Sequence, residues 1–169
     1  EAYQSGITDL LIITGKGKRA LEDYLDKNNQ AEQNRYLDDL DRMLQDLNIY
    51  FVRQKEMRGL GDAIRYAESF VAGDPFAIML GDTITIPPCI RELMTVYQKY
   101  EAPVIAVEHV PREMVDHYGI IAGSVVEKDT FLIEDLVEKP SPDSAPSDLA
   151  ILGSYIMVPE IFDAIRQTS

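Results

Sequence analysis

Short apolar runs alternate with amphipathic stretches along the whole chain. Apolar runs of about four to eight residues predict buried strands, and apolar residues spaced three and four apart predict helices. The predicted strands are residues 7–14, 49–52, 76–80, 103–110 and 150–158. Helices are predicted up to residue 25, along residues 36–47 and 60–71, from Pro87 to about Tyr100, and along residues 159–167. This order is typical of an α/β protein with helices packed in layers around a mainly parallel sheet.

The alternation changes after Tyr118. Residues 120–127 and 131–138 form two strand-like runs, and the polar connection at 128–130 is too short to contain a helix. Such a pattern indicates a β-hairpin inserted into the α/β scheme. We therefore predict one three-layer α/β domain over residues 1–169, with a mainly parallel sheet and an inserted β-hairpin.

The charge balance limits the partners. The 169 residues include 16 Lys and Arg against 29 Asp and Glu, a formal net charge of −13. An acidic surface repels duplex nucleic acid and anionic membranes, so neither is an expected partner. The single cysteine allows no internal disulfide, and no apolar run approaches the roughly 18 residues of a membrane span, so a cytoplasmic protein is expected.

Asp82 is the first candidate for chemistry. In open α/β sheets, ligands bind beyond the carboxyl ends of the strands, and Gly81-Asp82 follows the predicted strand 76–80 directly. A carboxylate in that place can hold Mg²⁺ or a hydroxyl group. The alternative is an aspartate that only caps a turn.

The loop after the strand 49–52 contains a second group of candidates, Gln54 and Gly59. The side chain of Gln54 has the donor and the acceptor needed to read the edge of a nucleobase. A glycine such as Gly59 at the start of a helix lets a ligand approach the backbone closely. A solvated loop with glycines for flexibility explains the same residues.

Three further candidates are Gly119, Glu138 and Lys139. Gly119 lacks a side chain that would keep a ligand off the strand, Glu138 can accept sugar hydroxyls, and Lys139 can neutralise a phosphate. Successive strand residues point to opposite faces, so Glu138 and Lys139 can serve one site only if the strand ends or twists at this point. For Glu138 and Lys139 the alternative is a solvated pair of charges on an edge strand, and for Gly119 it is a bend at the start of a strand.

The order and the sequences of these motifs resemble those of the bacterial UTP–glucose-1-phosphate uridylyltransferases, also called UDP-glucose pyrophosphorylases. The resemblance runs nearly end to end. The matching segments are SGI at 5–7, IITGKGK at 12–18, LEDYLD at 21–26, VRQ at 52–54, GLG at 59–61, PFA at 75–77, LGD at 80–82, YGII at 118–121, VEKP at 137–140, APS at 145–147 and PEIF at 159–162. The chain departs from the usual family pattern at Asp62, where a histidine is common, at Thr83, where a second acidic residue is common, and at Ser154, where an arginine is common.

The resemblance implies the nucleotide-diphospho-sugar transferase fold and the reaction of UTP with glucose 1-phosphate to give UDP-glucose and pyrophosphate, with Mg²⁺. By the same resemblance, Gln54 and Gly59 read the uracil and Asp82 ligates Mg²⁺ near the α-phosphate. Gly119 and Glu138 hold glucose hydroxyls, and Lys139 binds the sugar phosphate.

Because the family's Gly-rich triphosphate loop has no counterpart here, we expect the chain to be the central part of a longer protein and to be inactive alone. A homo-oligomer is also expected.

Three other functions are weighed against this one. A thymidylyltransferase acting on dTTP would share the fold. A non-catalytic paralogue that binds a sugar nucleotide would keep the same motifs. A receiver-like signalling domain phosphorylated on Asp82 is disfavoured, because the chain has no evident partner acidic pair and switch lysine.

Overall fold

The computed structural model describes residues 1–25 and 35–168, so Asp26 of the LEDYLD motif lies outside the described part. The chain divides into two compact units. Unit 1 comprises Glu1–Phe76 and Val158–Ser169, and unit 2 comprises Ala77–Met157. The single domain expected from the sequence stays a prediction.

Unit 1 is built around a pair of parallel strands, β1 (Asp9–Thr14) and β2 (Asn48–Arg53). Its helices are α1 (Arg19–Leu25), α2 (Arg35–Gln45), α3 (Leu60–Arg65), α4 (Glu68–Val71) and α6 (Ile161–Gln167). The predicted helix over residues 60–71 is divided in two. At the division Ala67 N–H donates to Ile64 O and Phe70 N–H donates to Ala67 O. These bonds span three residues, so the chain tightens there and the α-helical pattern stops.

The core of unit 1 lies between its sheet and its C-terminal helix. Phe162 of α6 is buried with Ala67 and Val71, and Leu11 and Ile13 of β1 pack against this cluster. The rings of Phe76 and Phe162 stack with their centroids 5.4 Å apart. An offset aromatic pair of this kind adds to the stabilisation that burial already gives.

Unit 2 contains a five-stranded sheet whose central strand is β7 (Leu149–Met157). The other strands are β3 (Phe76–Met79), β4 (Val104–His109), β5 (Gly119–Glu127) and β6 (Thr130–Glu138). The order is β3-β7-β5-β6, and β4 also pairs with β7. Helix α5 (Ile90–Tyr100) packs on β7 and β4, with Ile90 and Leu93 buried. A short 3₁₀ helix, Arg112–His117, precedes β5.

The predicted strands all form, with ends that differ by at most two residues. The inserted hairpin is confirmed as β5 and β6, which pair antiparallel from Gly119↔Glu138 to Glu127↔Thr130. Strand direction differs from the expectation in unit 2. β7 runs antiparallel to both β4 and β5, whereas β1 and β2 are parallel. The β5–β6 hairpin is a further antiparallel pair of this sheet, because a short turn can join only antiparallel strands.

Helix α5 begins at Ile90 rather than at Pro87. A proline disfavours the α conformation in the residue before it, so Pro88 keeps Pro87 out of the helix. Among the described residues, none of the helices has the length and apolar character needed to cross a membrane.

Gly153 sits inside β7 with φ +74°, in the left-handed region that favours glycine. Its carbonyl accepts the N–H of Leu80 at 3.0 Å. A Cβ at this position would lie 2.9 Å from Cδ1 and 3.3 Å from Cβ of Leu80. The absence of a side chain therefore lets the residue before Gly81-Asp82 hydrogen-bond to the central strand.

We predict that Gly153→Ala lowers the free energy of unfolding by about 1–3 kcal/mol, because it adds both backbone strain and a clash with Leu80. Urea denaturation measures the change. Gly81→Ala is the matched control, since Gly81 has an ordinary φ and open space around a built Cβ. The control should stay within about 0.5 kcal/mol of the unmodified protein. Equal stability of the two variants would contradict the prediction.

Candidate functional site

Gln54 follows the last residue of β2, and its backbone is fixed on both sides. Its N–H donates to the carbonyl of Thr14 at 2.8 Å, which continues the β1–β2 pairing by one residue. The N–H of the next residue, Lys55, donates to the hydroxyl of Tyr66 at 3.2 Å. Thr14 is itself buried, so the backbone of the half-buried Gln54 is attached to the interior of the unit.

The side-chain amide of Gln54 is also held. Nε2 donates to Oδ2 of Asp62 at 2.7 Å. The other carboxylate oxygen, Oδ1, lies 4.0 Å from Nη1 of Arg65, one turn further along α3. Sequence reasoning noted Asp62 only as a departure from a family pattern, because the spacing of eight residues does not by itself reveal the contact.

Gly59 is the N-cap residue of α3, with φ +97°. Its carbonyl accepts the N–H of Ala63 at 3.2 Å. A Cβ at this position would meet nothing within 4 Å, so backbone conformation alone selects glycine there.

Unit 1 also contains a cleft of about 450 Å³, lined by Lys55, Glu56, Arg58, Asp62, Arg65, Tyr66 and Glu68. Opposite charges are paired within it. Arg58 donates to Glu56, whose negative charge raises the pKa of the Arg58 guanidinium above its ordinary value. Because Arg65 likewise faces Asp62, two of the three cations in the lining are paired with carboxylates.

Asp82 lies on the exposed turn that follows β3 in unit 2. The turn is closed by the N–H of Thr83 donating to the carbonyl of Leu80 at 3.3 Å. Among residues 1–25 and 35–168, no group of three or more His, Cys, Asp or Glu side chains is arranged to hold a metal ion. Asp82 therefore belongs to no cluster of three or more such side chains among the described residues.

Gly119 and Glu138 face each other as register partners at the open end of the β5–β6 hairpin. A Cβ at position 119 would lie 3.2 Å from Oε2 of Glu138 and 3.1 Å from Cδ1 of Ile151. The missing side chain therefore lets Glu138 and Ile151 approach the strand closely. That Gly119 lets a ligand lie against the strand stays a prediction.

Glu138 and Lys139 come together although they are successive residues. β6 ends at Glu138, and Lys139 takes a left-handed φ of +47° while its N–H donates to the carbonyl of Tyr118 at 3.0 Å. Nζ of Lys139 lies 3.9 Å from Oε1 of Glu138. The alternation of a regular strand would send the two side chains to opposite faces, and the left-handed residue removes that obstacle.

Tyr155 on β7 is a polar neighbour that sequence reasoning missed. Burial raises the pKa of its hydroxyl above the ordinary value, and the negative charge of Glu138 raises it further. The phenol therefore stays protonated around neutral pH and can donate a hydrogen bond. The signal available in the sequence is weak, since Tyr155 is one aromatic residue within a buried strand.

The structure thus brings together two groups of the predicted residues. Unit 2 places Gly119, Glu138 and Lys139 side by side, and unit 1 places Gln54 close to the start of α3. Asp82 occupies its own turn in unit 2.

Comparison with known proteins assigns the chain to a family. Residues 1–169 match the nucleotidyl transferase family. The chain belongs to that family. It is 43% identical over 183 residues to the UTP–glucose-1-phosphate uridylyltransferase of Streptococcus pyogenes, a match that covers 99% of this chain and 60% of that protein. The chain therefore spans less than two thirds of the length of such relatives.

Solved structures agree with the family. A UDP-glucose pyrophosphorylase crystallised with UDP-glucose superposes with a TM-score of 0.91 at 36% identity, over 99% of this chain and 64% of that one. A UTP-bound UGPase from Acinetobacter baumannii superposes with a TM-score of 0.84 at 30% identity, over 99% of this chain and 64% of that one. The fold expected from the resemblance and the resemblance itself are both confirmed.

Arg112 holds the loop that follows Lys139 in place. Its Nε donates to the carbonyl of Pro142 at 2.7 Å, Nη2 donates to that of Ala145 at 2.7 Å, and Nη1 donates to that of Ser147 at 3.1 Å. The hydroxyl of Ser147 in turn donates to the carbonyl of Ile121 at 2.6 Å. Only a guanidinium offers a planar fork of donors that can serve three carbonyls at once.

We predict that Arg112→Met loosens this loop and speeds amide hydrogen exchange at Ser144 and Ala145 by about tenfold or more, because charge-assisted hydrogen bonds are lost. Both amides donate to the carbonyl of Ser141 in the folded loop. Arg112→Lys keeps the charge without the fork, so its exchange should fall between that of the other two proteins. Unchanged exchange in Arg112→Met would refute this role.

Proposed function

We propose that this chain forms part of an enzyme that transfers a uridylyl group from UTP to glucose 1-phosphate, giving UDP-glucose and pyrophosphate. The observation that carries the proposal is the meeting of Gly119, Glu138 and Lys139 at the end of one hairpin, where the exposed side chains of a hydroxyl acceptor and a cation lie 3.9 Å apart. The names of the relatives at 42–43% identity, UTP–glucose-1-phosphate uridylyltransferases, support it.

The hairpin end suits a sugar phosphate. The carboxylate of Glu138 would accept hydrogen bonds from glucose hydroxyls, and the bare backbone at Gly119 would let the pyranose ring lie against the strand. The ammonium of Lys139, 3.9 Å from Glu138, would neutralise the phosphate. Each group is matched to the part of the substrate that its charge favours.

The Gln54 loop would bind the nucleobase. Its amide would offer the acceptor Oε1 to the base edge, since Nε2 donates to Asp62, and Gly59 keeps the helix start free of a side chain. Uracil and thymine present the same edge to such a loop. The UTP preference that we propose over dTTP therefore rests on the relatives' names rather than on Gln54.

Mg²⁺ is the cofactor that we propose, and the donor chemistry of Asp82 fits it. Mg²⁺ prefers hard oxygen ligands and is commonly held by one or two carboxylates together with substrate phosphates. An exposed single carboxylate on a fixed turn meets that requirement. When bound, the ion would neutralise negative charge on the triphosphate.

In this reaction the chain would position the two substrates and neutralise the charge of their phosphates. A phosphate oxygen of glucose 1-phosphate attacks the α-phosphorus of UTP in line, and pyrophosphate leaves from the opposite side. Lys139 would hold the attacking phosphate and Glu138 would orient the sugar behind it. No side chain needs to form a covalent intermediate.

The second candidate function is a catalytically silent sugar-nucleotide-binding protein. It would keep the same binding contacts but release no pyrophosphate. The homo-oligomer expected from the sequence also stays a prediction, and sedimentation would measure it.

The test is pyrophosphate release by the complete gene product that contains these residues, with glucose 1-phosphate, Mg²⁺ and either UTP or dTTP. UTP should be the better substrate. A preference for dTTP would assign the thymidylyltransferase, and binding without release would assign the silent protein.

We predict that Asp82→Asn lowers turnover in this assay at least a hundredfold, about 3 kcal/mol of transition-state stabilisation, because a charged metal ligand is lost. Asp129→Asn, at an exposed hairpin turn of the same unit, is the charge-matched control. Full activity of Asp82→Asn with Mg²⁺ would exclude the metal-binding role.

We predict that Lys139→Met weakens binding of glucose 1-phosphate about tenfold or more while UTP binding changes little, because only the sugar phosphate is opposite the ammonium. Isothermal titration with each substrate separately measures both effects. Lys128→Met removes a highly exposed lysine from the same hairpin and serves as the control. An equal loss for both substrates would show that Lys139 has another role.

A further inference from the structure

The amide of Gln54 has two ends of opposite hydrogen-bonding character. Oε1 can only accept a hydrogen bond and Nε2 can only donate one. A half-turn about the last side-chain bond exchanges them, so an unrestrained glutamine can face either a ring N–H or a ring lone pair. Uracil and thymine carry a hydrogen on N3, whereas cytosine carries a lone pair there. A free glutamine therefore does not separate these bases.

Asp62 removes that freedom. Its Oδ2 accepts a hydrogen bond from Nε2 of Gln54 at 2.7 Å, and a reversed amide would set Oε1 against the same oxygen. Two acceptors in contact repel each other and leave both unsatisfied, which is costly in a partly buried place. The orientation with Nε2 towards Asp62 is therefore the stable one.

The surroundings keep both partners in place. Asp62 is only 21% exposed at its side chain, and its second oxygen faces Arg65 at 4.0 Å. The backbone of Gln54 is tied to Thr14, and that of Lys55 is tied to Tyr66. With the main chain and the carboxylate fixed, the amide has one orientation before any ligand arrives. Because a preorganised amide cannot reorient to suit a second ligand, its hydrogen bond discriminates between bases.

We propose that Asp62 is a specificity-determining positioning residue, which holds the Gln54 amide so that Oε1 is presented to a base with an N3–H and a base with an N3 lone pair is rejected. The ligand class is therefore uridine or thymidine nucleotides, with cytidine nucleotides excluded. The inference rests on the proposed function in one respect, namely that Gln54 faces the base.

The experiment compares UTP, dTTP and CTP with the complete gene product and three variants. Asp62→Asn keeps the shape but can donate as well as accept, so it permits both orientations of Gln54. Asp62→Glu keeps a carboxylate acceptor. Asp74→Asn removes an exposed loop carboxylate of the same unit and is the charge-matched control. Nucleotide affinity is measured by isothermal titration, and kcat/KM is measured from pyrophosphate release.

In Asp62→Asn we expect the UTP-over-CTP preference to fall about tenfold or more, with CTP binding more tightly than it does to the unmodified protein. The UTP-over-dTTP ratio should stay constant, since both bases carry the N3 hydrogen. Asp62→Glu and Asp74→Asn should keep the original preference for UTP over CTP. A structural defect would weaken all three nucleotides together, so the gain for CTP is the decisive signature.

An unchanged UTP-over-CTP ratio in Asp62→Asn would overturn the role of Asp62 and leave the proposed function standing. Equal affinity of the unmodified protein for UTP and CTP would overturn it as well. If the unmodified protein binds UTP over CTP but releases no pyrophosphate, the proposed activity fails, while the titrations still decide the role of Asp62.

Discussion

The hydrogen bonding of β7 is the constraint on which unit 2 depends. This strand pairs with β3, β4 and β5, so it fixes the ends of the segments that carry the candidate chemistry. The bond from Leu80 N–H to Gly153 O sets where the Gly81-Asp82 turn begins. The pairing of Ala150 with Ile120 sets where Gly119 lies. One strand, through the backbone of Gly153 and Ala150, thus places two sets of candidate residues.

Two residues with left-handed backbone conformations, Lys139 and Gly153, allow contacts that a regular strand would not make. Glu138 and Lys139 meet because Lys139 is left-handed, and Leu80 reaches β7 because Gly153 is left-handed. For lysine this conformation has an energetic cost, which the hydrogen bond from its N–H to Tyr118 O helps to offset. The left-handed conformation of Lys139 thus occurs at the end of β6, where the side chains of Glu138 and Lys139 come together.

The strands and the hairpin could be predicted because their signals are local. Each apolar run is bounded by glycine, proline or polar residues, and the strand ends differ from the predictions by at most two residues. The partner of each strand could not be read in this way, because residues of β7 pair with residues of β4 and β5 that lie 30 or more positions away. The same limit applies to side chains. The contact of Arg112 with Pro142, Ala145 and Ser147 joins residues 30 to 35 positions apart, and no spacing rule links them.

In the proposed site, the candidate residues of the two units would recognise their ligands by different means, and this difference decides which of them sequence could identify. Glu138 and Lys139 would act by charge, a property of the residue type, so residue type and motif suffice to suggest a sugar and a phosphate. Gln54 would act by the direction of a neutral amide, a property that the residue type leaves open. Asp62 sets this direction by accepting a hydrogen bond from Nε2, and it lies eight positions later in the first turn of α3. With the role that we propose for Asp62, a substitution there would change what Gln54 recognises while every residue expected to touch the base stays the same.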